Sequence, residues 1–387
     1  MGRTDSEQEP MINSEKRMMT FQTQSLLRSI FFAIAIILSL PGISSAEDKP
    51  RTPLPALNDL LRVDGTLTLF GEKVPLEIPQ VRERFEKELL LAAWDRPQAL
   101  LWLKRSTRYM PFVQDALKKR AMPADFRFLA VAESALRPHV GSPKGALGFW
   151  QLLPDTARRF SLVVDRRFDE RRNVTFSTRA ALDYLQELHG RLGSWTLAAA
   201  AYNMGEEGLE AEMLEQDSAD YYALYLPLET QRFIFRILAA KLIITDPARF
   251  GFHLTAADYY APIPAVGIQI DAFEEVPLSL IAAAAKTHFK TIKDLNPEIR
   301  GHYLAPGSRV VQIPPPGKEG FAQRYLALLE THRKDRQQRI YVVQKGDNLT
   351  AIAAKFNVPL AALLIWNRID LKRALQPGDR LVIHHRS

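Results

Sequence analysis

The chain has 387 residues, 47% hydrophobic, 25% charged and 9% aromatic, which excludes global disorder, collagen and a multi-span membrane protein. It holds no cysteine, so a disulfide scaffold, a thiolate zinc site, an Fe–S cluster, a cysteine nucleophile and a lipid-modified cysteine are all excluded. Lys and Arg outnumber Asp and Glu by 51 to 44, a net charge of +7 that suits polyanionic surroundings, but no five-residue basic block occurs and nucleic acid is not an expected partner.

The first element is an export signal. Arg28 precedes an apolar run from Ile30 to Leu40, broken only by Ser39, and Pro41-Gly42 and Ser44-Ser45-Ala46 follow. A positive start, an apolar stretch of 11 residues, a helix breaker and small residues predict a secretory signal over 1–46. The stretch is short of the roughly 18–20 residues that span a bilayer. A periplasmic or cell-envelope protein is expected, with retention of the signal as an anchor, or loose membrane or wall association, as the alternative.

Residues 47–104 open with spaced prolines and continue with Phe85, Leu89, Leu90, Ala93, Trp94 and Leu101 at helical spacing, which predicts a helical extension. Residues 105–255 read as a run of amphipathic helices with short Pro/Gly turns and almost no strand-like alternation. Beyond Phe252 two segments align without a gap at an offset of 71: Leu278 with Leu349, Ile281-Ala282 with Ile352-Ala353, Asn296 with Asn367, Pro306-Gly307 with Pro377-Gly378, and Arg309-Val310-Val311 with Arg380-Leu381-Val382. Each copy reads strand, helix, helix, strand, over 264–315 and 340–385, separated by a proline-rich spacer and charged helix at 316–339. The fold class is therefore mainly α, with two small βααβ modules at the end.

One carboxylate within the helical region stands in suggestive company. Ala124–Leu136 predicts a helix with an apolar face of Phe128, Leu129, Val131 and Ala132, and Glu133 lies on its last turns. The negative end of a helix and apolar neighbours both raise a carboxyl pKa, as a general acid near neutral pH requires. A glycine-rich stretch, 141–148, leads into Phe149-Trp150-Gln151, and Ala201-Tyr202-Asn203 again joins an aromatic ring to an amide before Gly205. Glycines admit close approach of a ligand to backbone, and an aromatic beside an amide suits a sugar face and its polar substituents. Taken singly, Trp150 and Tyr202 are ordinary core residues; only the set points to a site. Most glycosidases need two carboxylates, and near Glu133 only Asp155 and Glu206 offer themselves by sequence proximity, both expected on the surface. None of the eight His falls in a His-Glu-x-x-His spacing, so neither metal nor cofactor is expected.

Glu133-Ser134, Gly148-Phe149-Trp150-Gln151 and Ala201-Tyr202-Asn203 together resemble the soluble lytic transglycosylase family, which has the goose-type lysozyme fold and cleaves peptidoglycan. Leu226-Pro227-Leu228-Glu229-Thr230 and Arg249-Phe250-Gly251-Phe252 continue the likeness. The resemblance implies that Glu133 is the catalytic acid and that Ser134, Ser142, Gly148, Trp150, Gln151, Tyr202, Asn203 and Phe233 bind substrate. It implies an acid that protonates the β-1,4 bond between N-acetylmuramic acid and N-acetylglucosamine, followed by closure of a 1,6-anhydro ring. Phe233 departs from the pattern, which has a tyrosine there; losing that hydroxyl either costs transition-state stabilisation or is covered by a neighbour such as Tyr222 or Tyr225. The last module, Tyr341 to Asp379, resembles LysM domains, which bind N-acetylglucosamine-containing glycans. It implies glycan contacts at Gly346, Asp347, Asn348, Leu349, Asn367, Pro377 and Gly378. The first copy puts Val276 in the place of Asp347 and reads as degenerate. Peptidoglycan glycan strands are the expected partner; a goose-type hydrolase and a catalytically dead wall-binding scaffold are the alternatives.

Overall fold

The computed structural model describes residues 54–338, 340–369 and 374–383. The expected signal at 1–46 lies outside the described residues.

After a short α1 (Leu57–Leu60), strands β1 (Thr68–Leu69) and β2 (Glu72–Lys73) form a hairpin. The helical extension is two helices, not one: α2 (Pro79–Trp94) stops at Asp95, whose carboxylate accepts from the Gln98 N–H and caps α3 (Arg96–Lys119). Trp94, placed on the apolar face by its spacing, is instead exposed.

The predicted helix over 124–136 is also divided. A 3-10 turn (Ala124–Phe128) precedes α4 (Leu129–Ser134), and Ala135 and Leu136 end it in the left-handed region at φ 53° and 59°. Then come α5 (Pro154–Arg159), α6 (Val174–Leu192), α7 (Trp195–Met204), α8 (Glu206–Glu215) and α9 (Leu228–Thr245). Helix α9 runs through the middle, packing on α2, α4 and α7, and buries Phe233, Ile234, Ile237, Leu238 and Ile243. Its polar stripe, Glu229, Arg232 and Arg236, faces the cleft described below.

The first βααβ module comprises β3 (Val266–Ala272), β4 (Val276–Pro277), α10 (Leu278–Ala284), α11 (Phe289–Leu295), β5 (Tyr303–Leu304) and β6 (Gly307–Ile313). Strands β3 and β6 pair antiparallel, Val266 opposite Ile313. Helix α12 (Phe321–Gln338) is more than a spacer, because Phe321, Tyr325 and Leu329, one per turn, are buried in the core of this module. The second module has β7 (Ile340–Val342), α13 (Leu349–Lys355), α14 (Leu360–Asn367) and β8 (Arg380–Val382), with its own small core.

The duplication is visible as one repeated hydrogen-bond device. Asn296 donates to the carbonyls of Ile292 and Gln312 and accepts from Gln312 N–H; Asn367 does the same with Leu363 and Val382. The two reaches differ by one residue, 16 against 15. The gapless alignment therefore fails in the last strand: buried Val311 and Ile313 correspond to buried Leu381 and Ile383, while Val310 is exposed. A one-residue slip reverses the face of every strand side chain, so burial identifies the true register.

The first module is docked on the helical domain by main chain. Phe168 bridges to Ile299, Asp169 N–H donates to Glu298 O at 2.9 Å, and Arg300 N–H donates to Arg167 O at 2.8 Å. The Phe168 ring is buried in the core of the module with the Arg309 guanidinium 3.6 Å from its centroid.

Candidate active site

Glu133 is the penultimate residue of α4 and sits at a cleft of about 470 Å³ walled by Glu88 and Ala92 of α2, Gln98 and Trp102 of α3, and Glu229 and Arg236 of α9. The carbonyls that end α4 are satisfied by arginines: Arg236 donates to Ala132 O at 3.1 Å and Arg105 to Ala135 O at 3.0 Å. These bonds fix the turn that aims Glu133.

Burial pushes the Glu133 carboxyl up to about 8; the Arg236 guanidinium opposes this, and the negative charge of Glu229 adds to it. The acid is thus protonated at neutral pH, the state a proton donor to a glycosidic oxygen needs.

Around Glu133 the backbone is stapled by side chains. Ser134 Oγ donates to Phe149 O at 2.7 Å, joining α4 to the 148–151 segment. Tyr202 Oη, on the last turns of α7, donates to Trp150 O at 2.7 Å. The Tyr202 phenol is raised well above its ordinary value by burial and by the charge of Glu133, which places the two groups within electrostatic reach. Asn203 Oδ1 accepts from Thr230 Oγ1 at 2.9 Å, so the end of α7 is tied to the start of α9 beside Glu229. At its other end α7 is capped by the Glu72 carboxylate, which accepts from Trp195 N–H at 2.6 Å, Thr196 N–H at 3.0 Å and Ser194 Oγ at 2.9 Å. Burial works against the charge of Glu72, but these bonds outweigh it and hold the carboxyl below its usual value.

Several expected contacts are corrected. Trp150 is fully buried and its indole N–H donates to Thr178 Oγ1 at 2.8 Å, so it packs the core and does not shape the cleft. Ser134 is buried and its hydroxyl is spent on backbone. Gly148, at φ 88°, admits not a ligand but the chain itself: a Cβ there would meet Arg171 O at 2.0 Å. The Arg171 guanidinium pairs with buried Asp169 at 2.8 Å and donates to Gly145 O and Leu152 O, so it clamps the glycine-rich segment from beneath. Phe233 is buried in α9. Of its expected substitutes, Tyr225 is exposed and Tyr222 feels the charge of Glu72; the hydroxyl that senses Glu133 belongs to Tyr202.

Gln151, Tyr202 and Asn203 do not line the 470 Å³ cleft. Gln151, held at φ 50°, donates both amide hydrogens to Val140 O and Gly148 O, which leaves its carbonyl as an acceptor. Asn203 leaves its Nδ2 without a hydrogen bond among the described residues. Ser142 Oγ accepts from Ala146 N–H at 3.1 Å and keeps its own proton to donate. Asp155 is on the surface as expected. Glu206 is not: it is partly buried, accepts from Tyr184 Oη and pairs with Arg159 at 2.7 Å. The carboxylate that does bear on Glu133, Glu229, stands on the first turn of α9 and pairs with Lys144 of the glycine-rich segment at 3.9 Å. It lies within the Leu226–Thr230 stretch that carries the resemblance, but nothing in its spacing announced a charge facing position 133.

In the second module the polar side chains expected to meet glycan serve the module's own turns. Asp347 accepts from Tyr341 Oη and Gln344 N–H, both at 2.8 Å, and Asn348 caps α13 through Ala351 N–H. The Gln344 and Tyr341 bonds hold the Asp347 carboxyl below its usual value. Asn367 is fully occupied by the device described above, while Asn348 keeps its Nδ2 without a hydrogen bond among the described residues. Gly346 and Gly378 have φ 94° and 93° in the two turns, with Pro377 beside the latter; Leu349 packs against the small core. Among the described residues no cluster of three or more His, Asp or Glu is arranged to hold a metal ion.

A helical domain with one raised carboxylic acid in a cleft, followed by two βααβ modules, defines a lysozyme-like glycan-acting class. The family model described as Transglycosylase SLT domain matches residues 110–224, and the LysM domain model matches 278–311 and 341–384. Membrane-bound lytic murein transglycosylase D of Escherichia coli K12 is 30% identical over 338 residues, covering 83% of this chain and 73% of the relative, and the protein of the same name from Escherichia coli O6:H1 matches equally. The chain belongs to the lytic murein transglycosylase family. Among solved structures, the 70 kDa soluble lytic transglycosylase of Escherichia coli aligns with a TM-score of 0.32 and 18% identity over 52% of this chain and 41% of the other.

Proposed function

We propose that the protein is a peptidoglycan lytic transglycosylase of the cell envelope, periplasmic or loosely held at membrane or wall, with Glu133 as its single acid–base residue. The observation that carries this reading is the Glu133 carboxyl, raised to about 8 at the edge of a cleft. Protonated Glu133 gives its proton to the bridging oxygen between N-acetylmuramic acid and N-acetylglucosamine, and the C1–O4 bond breaks. The acetamido carbonyl of the muramic residue carries the positive charge that develops at C1. The Glu133 carboxylate then takes the proton of the C6 hydroxyl as O6 attacks C1, so the 1,6-anhydro ring closes, the acid is regenerated and no water is consumed. One carboxyl serves both proton transfers, and its pKa near neutrality suits both directions.

In this reading the Asn203 Nδ2, the Gln151 carbonyl and the Ser142 hydroxyl, each left with hydrogen-bonding capacity, meet the acetamido carbonyl and sugar hydroxyls of a strand that extends beyond the cleft. Tyr202 holds the backbone of Trp150 beside the acid. The second module supplies affinity for the wall. Glu229 is the observation that favours a second reading, a hydrolase in which this carboxylate activates water. Digestion of purified sacculi distinguishes the two: the transglycosylase releases products ending in 1,6-anhydromuramic acid, lighter by one water than the reducing-end products of a hydrolase. Reducing ends alone would overturn the proposal. Loss of wall-degrading activity in Glu133→Gln is the companion result, and full activity there would reject the assignment of the acid.

A further inference from the structure

A second cavity, of about 470 Å³, opens where the helical domain and both βααβ modules meet. Its charged lining is almost all of one sign. Arg166 and Arg167 come from the turn before Phe168, Arg300 from the first module and Arg368 from the end of α14, with Glu275 as the one carboxylate on its wall. Glu275 is shared between Arg167, at 3.8 Å, and Arg368. Arg166 is exposed and has no ion-pair partner among the described residues. Arg300 donates only to a backbone carbonyl, that of Asp165. Four guanidinium groups thus share one carboxylate, and burial, with the like charge of Arg167, works against the charge of Arg368. The arrangement is held firmly: Arg300 N–H pairs with Arg167 O, and the Arg368 guanidinium lies 4.4 Å from the Tyr303 ring centroid. Leu364 and Ile365 supply an apolar wall beside the charges.

Guanidinium groups take carboxylates in bidentate pairs, and an apolar wall beside them suits short aliphatic side chains. We infer that this junction binds the carboxylates of the short acidic peptides that branch from the glycan, so that the enzyme reads peptide-bearing strands while the cleft at Glu133 handles the sugar. The inference rests on the reading of the chain as a peptidoglycan enzyme. A stripped strand offers only the lactyl carboxylate held close to each muramic ring, whereas each peptide branch carries several carboxylates that extend away from the glycan.

The test is binding without turnover, using the full chain carrying Glu133→Gln. Its affinity is measured for soluble glycan strands bearing tetrapeptide branches, for the same strands stripped by an amidase, for the free tetrapeptide and for phosphatidylglycerol vesicles. Peptide-bearing strands are expected to bind about tenfold tighter than stripped ones, the margin shrinking as salt is raised. Adding Arg166→Glu, a change at an exposed, unpaired side chain that leaves folding intact, removes the margin. Arg300→Gln, checked for an unchanged melting curve, reduces it. Equal binding of both strands, a margin that survives Arg166→Glu, or binding of the vesicles without the peptide would each overturn the inference. Cleavage by the unmutated chain is scored separately on stripped glycan. A chain that binds peptide branches but cleaves nothing contradicts the enzymatic reading, and one that cleaves but ignores the branches contradicts this one.

Discussion

The role proposed for Glu133 rests on surroundings that make its ionised form costly. The folded chain keeps its proton up to about pH 8, whereas an ordinary glutamate loses it near 4.5. Two results follow. As a general acid the enzyme stays active through neutral pH and loses kcat/KM as pH rises through about 8; a rate profile that had already lost its acid near 4.5 would contradict this. Stability moves with the same group: between the two pKa values the folded state binds the proton that the unfolded state has released, so stability falls as pH rises. Glu133→Gln, which cannot ionise, should therefore lose about 10²–10⁴-fold in cleavage and yet gain about 1–3 kcal/mol of stability over the parent at pH 8, a gain that vanishes at pH 4. Paired thermal melts at the two pH values check it. The apolar setting of Glu133 was legible in the sequence from its helix. Arg236 and Glu229 were not, because their effect on Glu133 arises from the packing of α9 about a hundred residues later.

At the scale of elements, the site is a set of short pieces locked by side-chain-to-backbone bonds. The 141–152 segment looks loose in sequence, since three glycines and a proline punctuate it, but Arg171 threads beneath it and Gly148 touches the Arg171 carbonyl. Reading those glycines as room for ligand missed that the chain itself fills the room. Gly148→Ala should cost about 3 kcal/mol, from a left-handed φ and a 2.0 Å approach that backbone cannot relieve. A melting temperature equal to the parent's would show that the segment yields. Arg171→Ala should cost about 3–5 kcal/mol, because it strands the buried Asp169 carboxylate, and should lower activity further by releasing Gln151. The run of helices over 105–255 was legible from its periodicity, as in α6. The breaks at Asp95 and after Phe128 were missed, since a capping side chain and a 3-10 turn leave the apolar spacing almost unchanged.

Across the whole molecule, the repeated segments are packed differently. The first module is built into the enzyme: Phe168 of the helical domain fills its core, α12 covers it, and main-chain bonds to Asp169 and Arg167 join it to the strip that Arg171 uses to hold the site. Its lost Lys-Gly-Asp turn, legible as Val276 in place of Asp347, fits a module that serves as support. The partner it supports was invisible in sequence, because Phe168 sits in a charged stretch with no apolar pattern around it. Phe168→Ala should cost about 3–5 kcal/mol and lower cleavage of soluble glycan as well as stability. Ending the chain after residue 338 should keep that cleavage but weaken retention on sacculi, measured by co-sedimentation. Equal retention would assign wall affinity to the helical domain and first module together.

The central claim is a protonated carboxyl at position 133 in the working pH range. Carbon-13 NMR of the protein labelled at glutamate side-chain carboxyls, with Glu133→Gln used to assign the resonance, reads that proton directly. The account predicts a midpoint near 8; a midpoint near 4.5, the ordinary value, would contradict it.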